Sequence, residues 1–467
     1  MRLTIIHPCI GRIPGKKYIK GWQMEPLPAA HLSGLTPDDV DIKFYDDRME
    51  LIPFDEATDL VAISIETYTA KRAYQIASEY RKRGVIVVMG GFHATLVSDE
   101  VLEYADVVVI GEAEDIWQQV IADFKNKSLQ RIYKSATRPD IAKASPDRSI
   151  FQGKKYLPIG LVESARGCTF KCDFCVIQTF FSSTQNRRST QTVIDEIKSI
   201  TDKRKLIFFV DDNIVSHPKE AKEFYKALIP LKIKWVSQAA ITMTHDVEML
   251  EILRDSGCQG VLIGFESLNP VNLKAMNKTF NTTKGGIEEA TKRLHKYGIR
   301  LYATFIFGYD EDTMLSFRET IDFCINHKIF MVAFNHLTPF PGTPLYKKLE
   351  SEGRLIYKKW WLADEYKYGQ VPFRTKIDPE VIRLECVKAR KEFYSVPSII
   401  KRMFSKTNSG GFFMFYAYWF INLLLRKEAE LRDLYPLGDT TFKGELLPVD
   451  IEQHREYFHN KLEAKVS

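Results

Sequence analysis

The chain has no apolar run long enough to cross a bilayer, which takes ~20 residues. The longest such run, residues 411–425, stops short and contains Asn422. A secretory signal is missing too: the short strand-like start lacks the longer apolar core and the small-residue cleavage site. Charge of one sign is scarce, with 66 Lys and Arg against 60 Asp and Glu, a net +6 over 467 residues. So thin an excess excludes a nucleic-acid-binding surface of the usual kind and suits, at most, an anionic surface or cofactor. Disulfides are excluded as a framework, because the seven cysteines are odd in number and three of them crowd at 168, 172 and 175. Cys9, Cys258, Cys324 and Cys386 read as buried structural thiols. The G-x-G-x-x-G of a dinucleotide fold is absent, and no internal repeat is found. These absences describe a cytoplasmic chain with reduced thiols.

What is present is an ordinary globular composition, 45% apolar and 27% charged, long enough for two or three domains. The patterning predicts an α/β protein. From the start to 141, apolar strands at 3–7, 60–65, 85–89 and 107–110, with an alternating one at 40–45, are interspersed with helices at 69–82, 94–103 and 114–124. That is the signature of a doubly wound, Rossmann-like parallel sheet, whose ligands sit beyond the carboxyl ends of the strands. The polar stretch after 125, with Pro139, Pro146 and Pro158, reads as interdomain, with the linker at 142–158. A second series fills 159–375: strands at 160–164, 206–210, 233–239, 260–263, 301–307 and 332–336 with helices between them. Six such units predict a partial (β/α)6 barrel with its site at the carboxyl ends of the strands. Residues 376–467 are expected to be mainly helical.

The sharpest motif is C-x3-C-x2-C, formed by Cys168, Cys172 and Cys175 directly after the first barrel strand. Three closely spaced thiolates can wrap one corner of an inorganic cluster. A 4Fe–4S cluster normally takes four thiolates, so three leave one iron open to chelation by an amino group and a carboxylate. A zinc site with a remote fourth ligand and a chance grouping are the alternatives. Zinc sites usually show two separated ligand pairs, and no second pair exists here.

On these residues the chain resembles the radical SAM superfamily, which carries CxxxCxxC after the first strand of a partial (β/α)6 barrel. Arg166 and Gly167 before the loop, and Phe174 before the third cysteine, fit as well. The resemblance implies that Cys168, Cys172 and Cys175 hold a 4Fe–4S cluster whose open iron binds S-adenosylmethionine (SAM). It also implies an electron donor such as flavodoxin or ferredoxin, and reductive cleavage of SAM to a radical that abstracts hydrogen from substrate. Phe174 would pack on the adenine. Asp211 and Asp212, ending the second strand, replace the family's Gly-Gly-Glu segment at the methionine end of SAM. Gln238, Glu266 and Ile306, at the ends of the next three strands, complete the expected SAM contacts. Asp211, Asp212 and Glu266 can also be read as capping or turn residues, Ile306 as core, and His336 as a structural histidine.

The N-terminal stretch offers strand-end loops with glycine pairs, which let backbone N–H groups approach a polar ligand closely. It resembles the cobalamin-binding domain that precedes many radical SAM barrels, in the segments 22–28, 64–69, 90–93 and 111–114. The resemblance implies a cobalamin site drawn from Ser64, Thr67, Gly90, Gly91, His93, Gly111 and Glu112. No Asp-x-His-x-x-Gly motif supplies a cobalt ligand, and a structural role for His93 is the simpler reading.

Residues 411–425 are apolar on every face except Asn422 and are flanked by Arg402, Lys406, Arg426 and Lys427. Three readings stand: core packed on the barrel, a peripheral membrane contact, or an oligomer interface. Together these features predict a radical SAM enzyme that uses cobalamin to methylate an unactivated carbon of a small-molecule or lipid-like substrate, with no nucleic-acid partner. Radical carbon–carbon coupling or cyclisation without methyl transfer is the alternative enzyme reading, and an iron–sulfur electron carrier or sensor is the non-enzymatic one.

Overall fold

The computed structural model describes residues 1–16, 23–143, 145–428, 431 and 433–458; Trp22, at the edge of the segment matched to cobalamin-binding domains, lies outside them. The chain divides into two compact units.

The first unit is built on six strands: β1 Arg2–His7, β2 Asp41–Asp46, β3 Leu60–Ser64, β4 Ile86–Gly90, β5 Val107–Ile110 and β6 Ile132–Lys134. All pair in parallel, in the order β2-β1-β3-β4-β5-β6. The inner strands are continuously apolar because helices cover both faces: Leu60, Val61, Ala62 and Ile63 are all buried. Strand order reverses between β1 and β3, which places the ligand-binding crevice at the carboxyl ends of the strands. The edge strand β6 lies in the stretch read as interdomain. Its three residues turn only Tyr133 inward, too little periodicity for a sequence signal. The unit runs to Leu157 and also takes in Lys359–Tyr366 and the chain after Pro436. Trp360 and Trp361 are buried there, and Gly438–Asp439 pairs in parallel with Gly11–Arg12. The region after 376 is mainly helical, as expected, up to Glu428; beyond Pro436 it returns to the first unit and, among the described residues, the only helix it carries is the 3-10 helix Ile451–Tyr457.

The second unit contains β7 Ile159–Val162, the hairpin strands β8 Ala165–Gly167 and β9 Gln185–Arg187, and then β10 Leu206–Phe209, β11 Trp235–Ala239, β12 Cys258–Glu266, β13 Arg300–Phe307 and β14 Met331–His336. β7 and β10 to β14 form one parallel sheet in sequence order, each joined to the next through at least one helix. This is the open (β/α)6 barrel expected. Alternate residues define two faces. Ile207, Phe209, Trp235, Ile263, Leu301, Phe305 and Phe334 are buried against the surrounding helices. Val236, Gln238, Leu262, Tyr302, Thr304, Ile306 and Met331 stand on the opposite, half-exposed face. Trp235 stacks on Tyr225 at 4.8 Å and is fully buried, a contribution of roughly 2–3 kcal/mol. Asp246, Asn269, Thr343 and Asp378 cap the helices that follow them by accepting backbone N–H groups.

After the barrel come helices Pro379–Phe393, Val396–Met403, Lys406–Ser409 and Phe412–Glu428. Arg402 joins them. It is fully buried, donates to the carbonyls of Ile329, Phe330 and Phe393 and to Asn422 Oδ1, and lies 3.8 Å over the Phe393 ring.

Candidate cofactor sites

Each unit carries one candidate site at the carboxyl ends of its strands. In the second unit, the chain leaves β7, turns at Ser164, forms β8 and enters the loop holding Cys168, Cys172 and Cys175. Gly167, the last residue before the loop, has φ of 102°, a conformation that disfavours side chains. All three thiols are free. Cys172 is buried, while Cys168 and Cys175 are half-exposed. Burial pushes the Cys172 thiol up to about 12, with Lys278 pulling the other way. Cys175 is raised by burial and eased by the N–H groups of Gln178 and Ile177. Cys168 adds to the rise at both Cys172 and Cys175, and Cys175 to that at Cys172, so the three share one electrostatic space. A bound metal centre replaces the proton that burial would otherwise retain. Among the described residues, no three His, Cys, Asp or Glu side chains gather around a single-ion centre.

Three consecutive residues after β10 hold this loop in place. Asp211 is fully buried and accepts from both the N–H (2.7 Å) and the hydroxyl of Ser164. Asp212 accepts from the Gly167 N–H at 2.7 Å. Asn213 directs its amide at Cys168 Sγ, 3.6 Å away, while its Oδ1 accepts from the N–H of Ala240. Gln185, on the hairpin, donates to the carbonyls of Gly167 and Asn213. Burial lifts both Asp211 and Asp212 to about 6 against these hydrogen bonds. The two carboxylates expected at SAM thus bond to Ser164 and Gly167, on the stretch of chain that leads into the cysteine loop.

The far side of the loop is tied as well. Asp173 accepts from the Tyr309 hydroxyl at 2.7 Å, and its carbonyl accepts from Leu345 N–H at 3.0 Å. Phe170 packs on Phe280 with ring centroids 4.3 Å apart. Phe174 is half-buried against the barrel core.

Gln238 and Ile306 stand on the half-exposed face, and the Gln238 amide makes no side-chain hydrogen bond among the described residues. Glu266 ends β12 at φ 62°, and its side chain folds back so tightly that a Cβ on Gly264 would lie 2.0 Å from its carboxylate. It pairs with Lys278 Nζ at 2.8 Å, and Lys278 also donates to the Gly264 carbonyl. Burial works to lower the Lys278 ammonium, but Glu266 and the cysteines outweigh it and hold it charged. Sequence reasoning missed Lys278 and Gln185 as parts of the site, since nothing in one sequence marks a lysine as buried beside thiols; Asn213 belongs to the Asp211-Asp212-Asn213 segment that it did single out. His336 lies at the end of β14; its Nε2 is buried with no hydrogen bond, and enclosure lowers the ring to about 4.

In the first unit the expected cobalamin residues divide. Ser64, Gly90, Gly91 and Gly111 lie at the carboxyl ends of β3, β4 and β5, or immediately after them. Gly91, at φ 98°, lets the β4 turn pass within contact of the Ser64–Ile65 backbone, where a Cβ would lie 2.9 Å from the Ile65 carbonyl oxygen. Gly111, at φ 85°, has open space where a Cβ would stand. Thr67 and His93 turn inward instead. His93 is fully buried, with Nδ1 at 3.3 Å from Thr67 Oγ1 and Nε2 at 3.3 Å from Glu100. Glu100 also accepts from Tyr74 and Trp361. Burial keeps the imidazole neutral, so both ring nitrogens serve this internal network and neither is offered to a metal. Glu112 is committed to a two-pronged pair with Arg138 at 2.7 and 3.0 Å.

Residues 162–324 match the family model of the Radical SAM superfamily, and residues 29–121 match that of the B12 binding domain. The bacteriochlorophyllide d C-12(1)-methyltransferase of Chlorobaculum tepidum is 32% identical over 413 residues, covering 86% of this chain and 88% of that protein. The hopanoid C-2 methylase of Rhodopseudomonas palustris is 24% identical over 81% of this chain and 73% of its own length. Among solved structures, the radical S-adenosylmethionine methyltransferase TsrM of Kitasatospora setae, with cobalamin and a 4Fe–4S cluster bound, superposes with a TM-score of 0.64. It covers 92% of this chain and 99% of that one at 14% identity, a likeness of fold.

Proposed function

Because the chain belongs to the radical SAM superfamily, in the branch with a B12-binding domain, we propose that its three-cysteine loop and strand-end glycines form the two cofactor sites of a carbon methyltransferase. The protein is a 4Fe–4S-dependent radical SAM enzyme, uses cobalamin, and transfers a methyl group to carbon. When bound, the cluster and SAM supply a hydrogen-abstracting radical, and cobalamin supplies the methyl group.

In this reading Cys168, Cys172 and Cys175 ligate the cluster, and the Asp211-Asp212-Asn213 segment fixes the loop from beneath. Phe174 and Ile306 flank the adenine, and Gln238 offers its unpartnered amide to SAM. The Glu266–Lys278 pair sets the charge beside the thiols. In the first unit, backbone groups at Ser64, Gly90, Gly91 and Gly111 line the cobalamin site, with Thr67, His93 and Glu100 bracing the loop behind them. The two functional modules correspond to residues 1–157 and 158–358, each with later additions. Flavodoxin or ferredoxin is the proposed electron donor.

The substrate proposed is a lipid-like molecule carrying an unactivated carbon, like the bacteriochlorophyllide and hopanoid of the relatives' names. Val236, Leu262 and Tyr302 give the half-exposed face of the sheet an apolar stretch suited to it. A peripheral membrane contact through residues 411–425 belongs to the same reading. The observation that carries it is the cysteine loop, held on both sides by buried groups and matched by a relative over most of both chains.

The test is an anaerobic reaction of the reconstituted protein with SAM, cobalamin, reductant and a bacteriochlorophyllide or hopanoid. Formation of both 5′-deoxyadenosine and S-adenosylhomocysteine is expected. 5′-Deoxyadenosine alone would move the reading to coupling or cyclisation.

A further inference from the structure

Every exposed aromatic side chain among the described residues lies in one segment: Phe404, Phe412, Phe413, Phe415, Tyr416 and Phe420. Helix Phe412–Glu428 is fastened to the second unit along one narrow line. Tyr418 is fully buried and donates to the Ile399 carbonyl at 2.7 Å, and Asn422, one turn on, accepts from Arg402. At ~100° per residue, positions 412, 413, 416, 420, 423 and 427 fall on the opposite arc. Phe412, Phe413 and Phe420 there are 82%, 75% and 68% exposed. Phe404, between the two preceding helices, is 70% exposed as well. An exposed apolar face of this kind marks an interaction site.

The charges around it choose the partner. Between 396 and 428 the charged residues are Lys401, Arg402, Lys406, Arg426, Lys427 and a single acid, Glu428. Arg402 is buried, while Lys401, Lys406, Arg426 and Lys427 are exposed. A second copy of the same face would set these cations against one another. An anionic lipid surface takes them all, and phenylalanine and tyrosine suit the headgroup boundary. Among the described residues no helix is long and apolar enough to cross a membrane, so the helix would lie along the surface.

We propose that the exposed face of Phe412–Glu428, together with Phe404, docks this protein onto an anionic membrane. The inference rests on the reading of a lipid-like substrate for its purpose, since such a substrate is met at the bilayer surface. The docking itself is read independently of catalysis.

The full-length protein is centrifuged with phosphatidylcholine vesicles containing about one-third phosphatidylglycerol, and with phosphatidylcholine alone. Binding to the anionic vesicles, weakened by salt, is expected. Phe412→Glu/Phe413→Glu/Phe420→Glu lowers partitioning at least about tenfold, and Lys401→Glu/Lys406→Glu/Lys427→Glu removes the preference for phosphatidylglycerol. These side chains are exposed, so folding, followed by circular dichroism, and 5′-deoxyadenosine formation from SAM are retained. Failure of the native chain to bind anionic vesicles overturns the proposal, as does equal binding by the aromatic variant. A native dimer that this variant splits, without any vesicle binding, assigns the face to self-association. Vesicle binding without 5′-deoxyadenosine formation keeps the docking and removes the enzymatic reading.

Discussion

Glu266 and Lys278 form a buried ion pair at 2.8 Å beside the cysteine loop, with the carboxylate carried on a residue at positive φ. Neither side chain has ready access to water. Loss of one partner leaves a charge in a poorly solvated place, which is far costlier than loss of both. Lys278→Met is expected to destabilise the protein by about 3 kcal/mol, measured by denaturant unfolding, and Glu266→Gln added to it should restore part of that. If the double variant is as unstable as the sum of the singles, the pair is not the coupled unit described.

The Asp212–Gly167 hydrogen bond gives a second prediction. Asp212→Ala frees the N–H that sets the entry of the cysteine loop, one residue before Cys168. Reconstituted iron should fall several-fold while far-ultraviolet circular dichroism is retained. Cys172→Ala should bring iron close to background. Full iron loading in the Asp212 variant would remove the positioning role.

A pH dependence follows from the histidines. Enclosure lowers His7 and His336 from 6.5 to about 4, and burial lowers His93 in the same direction. A histidine whose folded value is depressed binds a proton more readily once unfolded. Its contribution to stability is therefore complete above 6.5 and is lost as pH falls toward 4. Asp211 and Asp212, raised by burial to about 6, act in the opposite sense over the same range, since the folded state takes up their protons first. The histidine effect is therefore read as a difference: between pH 7 and pH 5, His336→Gln should shift the slope of unfolding temperature against pH toward greater stability at the acid end. An unchanged slope in the variant would show that His336 does not contribute to it.

The barrel was legible because its six strands repeat one signal, an apolar run followed by a helix, and each run buries its face against helices. The three cysteines were legible because cluster ligation demands fixed spacing. What stayed hidden is what side chains do across distance. Asp211 and Asp212 sit where strand-end carboxylates usually meet a ligand, yet they spend their oxygens on Ser164 and Gly167. His93 follows a glycine pair in an exposed-looking loop, yet its ring turns under Tyr74 and Trp361, the latter 268 positions along the chain. Strand β6 escaped notice because one inward tyrosine carries no period.

The first unit closes only with residues from much later in the sequence. Trp361 reaches Glu100 at 2.8 Å, and Gly438–Asp439 pairs beside Gly11–Arg12. During synthesis on the ribosome, the amino-terminal sheet therefore emerges long before the indole that its buried glutamate awaits. Until the last hundred residues appear, that carboxylate must stay hydrated or be shielded by other means. A fragment stopping at residue 157 would therefore not be the unit seen here.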